Sequence, residues 1–78
     1  MRKKEERLVV TFHTTSEAIA MESSCKKDGI PGRLIPVPRQ ISAGCGLAFS
    51  SPTQERKRIL DHMENQNLKY ETEGIYVI

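Results

Sequence analysis

Gly32-Arg33-Leu34-Ile35-Pro36-Val37-Pro38-Arg39 is the stretch on which the fold turns. Leu34, Ile35 and Val37 suit an extended strand, but Pro36 and Pro38 each lack an amide hydrogen. Standing two residues apart, they remove donors from the same side of the strand, since residues alternate in direction along it. A strand with one donor-poor side cannot be central, so this segment is predicted at a sheet edge.

Toward the N-terminus, residues 8–13, Leu8-Val9-Val10-Thr11-Phe12-His13, are β-branched or aromatic and read as a strand. Leu8, Val10 and Phe12 share one face; Val9, Thr11 and His13 share the other. Thr14-Thr15-Ser16-Glu17 then forms a capping box, with Thr14 as N-cap and Glu17 answering it. Ala18, Met21 and Cys25 recur at helical spacing as a buried stripe. The helix is predicted to stop where Lys26 and Lys27 meet its C-terminal dipole and Gly29 can take the left-handed cap.

Toward the C-terminus, Gly46-Leu47-Ala48-Phe49-Ser50 reads as a short third strand. Ser51-Pro52-Thr53-Gln54 has the pattern of a helix start, with Ser51 as cap and Pro52 at the first helical position. Ile59, Leu60 and Met63 would be its buried stripe, among solvated Arg56, Lys57, Arg58 and Glu64. Asn65-Gln66-Asn67 ends it, and Tyr70 to Ile78 supplies the last strand, weak at 71–74 and strong at 75–78. The resulting order, β-α-β-β-α-β, is that of an α+β, ferredoxin-like split β-α-β plan. Its antiparallel sheet order 4-1-3-2 puts the proline-bearing second strand at an edge. Residues 1–7 are predicted as a charged, flexible arm, and 8–78 as one α+β domain.

A chain of 78 residues holds one modest core, and its 37% hydrophobic content keeps that core economical. No apolar run approaches the roughly 20 residues of a membrane span, and no secretory signal pattern opens the chain. A cytoplasmic location, with Cys25 and Cys45 reduced, is therefore expected. Twelve basic residues are balanced by ten acidic ones and spread along the chain, which is a soluble surface and not a nucleic-acid footprint. Neither Cys-x-x-Cys nor His-x-x-x-His occurs, so no metal site is expected. No phosphate- or dinucleotide-binding glycine pattern appears, and no cofactor is expected.

What remains is Cys45, in the loop Ser42-Ala43-Gly44-Cys45-Gly46. Gly44 and Gly46 leave its sulfur uncovered and let another molecule approach closely. The bland alternative is that the glycines only shape a hairpin turn. The predicted topology brings this loop to the end of the sheet that holds the end of strand one and the start of the first helix. Cys45, Arg39, His13 and the amides around Thr14 could converge there. A helix N-terminus and nearby cations stabilise thiolate and lower a cysteine pKa from about 8.5 toward neutrality. His13 either orients a ligand or is a surface residue without a role; His62 reads as a solvated helix residue. Cys25 reads as a packed core thiol.

With those residues in view, the chain resembles a family of small prokaryotic domains described as selenium/sulfur carrier-like. The resemblance rests on Thr11-Phe12-His13-Thr14-Thr15, on Gly29 through Arg39, and on Ile41-Ser42-Ala43-Gly44-Cys45-Gly46-Leu47-Ala48, with a weaker match continuing to Tyr76. It implies that Cys45 accepts a sulfur or selenium atom, with Pro38, Arg39 and Ser42 as its setting. It further implies a donor such as a cysteine desulfurase and an acceptor protein as partners. Such a chain is at most a sulfurtransferase-like carrier and not a multiple-turnover enzyme by itself.

Two rivals stand beside the carrier. One is a non-catalytic binding or regulatory module, working as a homodimer through an open sheet face carrying Val9, Thr11, Ile35 or Val37, and Tyr76. The other is a redox sensor that forms a sulfenate or an intermolecular disulfide at Cys45.

Overall fold

The computed structural model describes residues 5–38, Ile41 and residues 46–77. In chain order these form β1 (Glu6–Thr11), α1 (Thr15–Lys27), β2 (Arg33–Pro36), β3 (Leu47–Pro52), a 3-10 turn (Thr53–Glu55), α2 (Arg56–Asn65) and β4 (Thr72–Val77). The four strands make one sheet in the order β2-β3-β1-β4, which is the expected 4-1-3-2 order viewed from the other side. Every neighbouring pair is antiparallel, so β1 and β2 run the same way with β3 between them. The fold is α+β.

The proline reading holds at the level of single hydrogen bonds. Val37 donates its amide inward, across the hairpin, to the Gly46 carbonyl at 3.0 Å. Its neighbours Pro36 and Pro38 therefore turn their missing donors outward, to the free side of β2. That side can offer few donors to an incoming strand.

Leu8, Val10 and Phe12 share a core with Phe49 of β3, with Ala18, Met21 and Cys25 of α1, and with Ile59 and Met63 of α2. Both helices thus cover one face of the sheet. Gly32 is required by this core: a Cβ there would run into the Phe49 ring, at a backbone φ of +150°. The C-termini of the helices close alike. After α1, Ile30 donates to the Cys25 carbonyl and Gly29 takes a φ of +70°. After α2, Leu68 donates to the Met63 carbonyl and Asn67 takes a φ of 54°. Both are Schellman closures, with the left-handed residue at the position that relieves the last carbonyls.

Three expectations need correction. First, β1 begins at Glu6 and ends at Thr11, so Glu6 and Arg7, placed in the arm, pair in the sheet, while Phe12 and His13 follow the strand. Second, Ser51 and Pro52 do not start a helix. With β1 reaching back to Glu6, β3 has partners as far as Arg7↔Pro52, and pairing prevails over the capping pattern. Ser51 is buried, and its hydroxyl donates to the Pro31 carbonyl at 2.8 Å. Helix α2 starts only at Arg56, without a side-chain cap. Third, the sheet face turned away from the helices is not open at its centre. Val9, Thr11, Ala48 and Ser50 on it are all buried, and the Tyr76 ring lies over Gly74. Among the described residues, no helix is long and apolar enough to cross a membrane.

Candidate functional site

The segment between β2 and β3 carries most of the residues singled out above. Cys45, Arg39, Ser42 and Gly44 lie outside the described residues. The residues that frame them are described. Pro36 pairs with Leu47 at the mouth of the segment, and Ala48 pairs with Thr11 at the end of β1. The mouth therefore stands at the end of the sheet from which α1 begins, as the predicted topology requires. Beyond Pro36, Val37 bonds Gly46, and Ile41 donates its amide to the Pro38 carbonyl at 2.9 Å. Gly46 has a φ of +75° with open space where a Cβ would stand, so its backbone angle, not crowding, calls for glycine.

At the same end of the sheet lies the start of α1. Thr14 is its N-cap, and its hydroxyl accepts the Glu17 amide at 3.2 Å. Glu17 reaches back, but to the amide of His13 (2.8 Å) in place of the cap residue's own. His13 Nδ1 is 3.4 Å from the same carboxylate, and the ring is otherwise well exposed. The His13 amide holds the Glu17 carboxyl below its usual value, with the imidazole adding to the effect. This helix start thus already carries a carboxylate, which offsets part of the positive field at the N-terminus of α1.

Cys25 is the contrasting thiol. It is 1% exposed, within 3.8 Å of the Met21 sulfur, and burial pushes its pKa up to about 11. Asp28 adds to that rise and Arg58 opposes it. A thiol so placed is a poor nucleophile near neutrality.

His62 is where sequence reasoning missed most. It is buried, and it ties the helices together: Nε2 lies 2.7 Å from Ser24 Oγ, and Nδ1 lies 3.1 Å from Asp28 Oδ2. The spacing carried a signal, because His62 stands three residues after Ile59 on the inward stripe, and Ser24 and Asp28 are one turn apart. Serine, histidine and aspartate in this order can form a hydrolytic relay. Here, however, the array sits at the carboxyl end of α1, where carbonyls and not amides project, the opposite of an oxyanion site. It is a clasp. Among the described residues, no group of three or more His, Cys, Asp or Glu side chains is arranged to hold a metal ion.

The sequence pattern of the family described as Putative Se/S carrier protein-like matches residues 7–76. The chain belongs to that family. The match opens at Arg7 in β1 and closes at Tyr76 in β4, so membership in the Se/S carrier protein-like family applies to the sheet, both helices and the Cys45 segment together. No curated protein and no solved structure matches the chain.

Proposed function

We propose that this chain is a sulfur or selenium carrier that accepts the atom on Cys45 and passes it to an acceptor protein. The observation that carries this reading is the family match across residues 7–76. The burial of Cys25 directs it to Cys45, the other of the two cysteines in the chain. The element order and the split arrangement of β1 and β2 around β3 support a ferredoxin-like assignment.

The transfer balances without an external oxidant or reductant. The Cys45 thiolate attacks the terminal sulfur of a donor persulfide, such as that of a cysteine desulfurase. A sulfur–sulfur bond forms at Cys45 as the donor's bond breaks, and the donor cysteine leaves as thiolate. The acceptor's thiolate repeats the step on the loaded chain. Selenium follows the same path as a selenopersulfide. In this reading Arg39 and His13 supply positive charge to the thiolate, Gly44 and Gly46 give access, and Thr14 fixes the helix start. Ser42 belongs to the same setting, and a cytoplasmic location keeps the thiol reduced.

The rival module that pairs through the sheet face of Val9 and Thr11 draws less support, because those side chains are already buried. Alkylation separates the two. In a Cys25→Ala protein, Cys45 should react with iodoacetamide at half its maximal rate below a pH of about 8.5, as an activated thiol does. A midpoint at or above that value speaks for a module without chemistry.

A further inference from the structure

At the end of the sheet opposite the Pro36–Leu47 pair, Arg7 and Arg33 both neighbour Ser50. Arg7 Nε donates to Ser50 Oγ at 3.0 Å, and Arg33 is the cross-strand partner of Ser50 on the same face. Both line a groove of about 1060 Å³ that runs along β2. Its charged lining among the described residues comprises Arg7, Arg33 and Glu5. Glu5 is engaged by Arg7 at 3.3 Å, while Arg33 is exposed and makes no ion pair among the described residues. Among the described residues one guanidinium is therefore without a carboxylate partner, and the second, Arg7, is held in place and 22% exposed. Arginine presents a planar fork suited to two oxygens of one carboxylate or phosphate.

The walls say what kind of molecule fits. All four prolines of the chain, Pro31, Pro36, Pro38 and Pro52, line this groove. Their rings make a stiff, preformed apolar part of the wall, and the open groove is large enough for a small molecule. A peptide added as a fifth strand is disfavoured, since Pro36 and Pro38 face outward without donors.

We propose that this groove is a binding site for a small anion, in which Arg33 and Arg7 clasp a carboxylate or phosphate over Ser50 and the proline walls take an apolar body. Arg7, Ser50 and Arg33 stand at the far end of the groove from Pro38, and the proposal does not depend on the carrier reading.

Titration of the isotope-labelled chain with phenyl phosphate, benzoate, inorganic phosphate and phenol, followed by NMR, tests it. Phenyl phosphate or benzoate should shift the Arg33 side-chain signal and the Gly32 and Ser50 amides saturably, and more tightly than inorganic phosphate or phenol. Which of the two binds more tightly distinguishes a phosphate from a carboxylate ligand. Arg33→Ala should weaken binding by about tenfold or more, the loss of one charge-assisted bidentate contact, and Arg33→Lys by less. Arg33 is exposed, so both variants should fold. The proposal is overturned if no saturable shift appears, if Arg33→Ala binds as wild type, if phenol binds as tightly as the anions, or if Lys26, Lys27 and Lys57 respond as strongly as Arg33.

Discussion

Ser24 Oγ and His62 Nε2 lie 2.7 Å apart, and this bond joins α1 to α2 on the helical side of the sheet. Asp28 holds the other ring nitrogen of His62 at 3.1 Å, and Arg58 of α2 donates to the Asp28 carbonyl at 3.3 Å. The helices are adjacent through a shared core, but a hydrophobic contact has no direction. The clasp sets one helix against the other.

Ser24→Ala should cost about 1 kcal/mol of folding stability, the usual net worth of such a bond. His62→Ala should cost about 2–3 kcal/mol, because it leaves two partners unsatisfied and opens a cavity. The double variant should lose less than the sum of the two, since both remove the same bond. Urea midpoints at unchanged slope would measure all three; full additivity would show that the contact carries no coupling.

Cys25 should resist alkylation in the folded chain and react once the chain unfolds. Its pKa is raised from 9.0 to about 11 by burial, so the folded state keeps the proton that the unfolded state loses. The contribution of this thiol to stability is thus intact below pH 9 and is lost as pH rises toward 11. Cys25→Ala is destabilised at neutral pH by its cavity, but its stability should fall less steeply across that alkaline window. Parallel curves for the two proteins would contradict the assignment.

Thr14→Ala should destabilise the domain by about 1 kcal/mol, as the loss of an N-cap does. Glu17 gives the corresponding pH effect. Its folded carboxyl lies below the usual value, so its stabilisation is present above the normal carboxylate range and is lost as pH falls through the folded value. Glu17→Gln should flatten the acid limb of the stability curve relative to wild type. An unchanged acid limb would show that the contact with His13 contributes nothing.

Much of this architecture is legible in residue type and spacing. Pro36 and Pro38 placed β2 at the edge, Thr14 and Glu17 placed the start of α1, and Ala18, Met21 and Cys25 marked its inward face, as the structure has them. The errors arise where tertiary pairing competes with a local signal. Ser51-Pro52-Thr53-Gln54 carries a sound capping pattern, yet an extended β1 offers Ser51 and Pro52 strand partners instead. His62 reads as solvated among Arg56, Lys57, Arg58 and Glu64, while its partners, Ser24 and Asp28, lie far away in the chain. The arginine pair around Ser50 was equally hidden, since Arg7, Arg33 and Ser50 belong to three separate strands. For the proposed carrier site the sequence offers two glycines about Cys45 within the stretch the family pattern spans, and Arg39, Ser42, Gly44 and Cys45 themselves lie outside the described residues.

The central claim is that Cys45 takes up sulfur, and intact mass reads this directly. Wild type, Cys25→Ala and Cys45→Ser proteins would be incubated with a cysteine desulfurase and cysteine, then weighed without reductant. The carrier reading predicts that wild type and Cys25→Ala each gain the mass of one sulfur atom, that reductant removes it, and that Cys45→Ser gains none. If wild type gains nothing, or Cys45→Ser gains as much as wild type, Cys45 is not the acceptor.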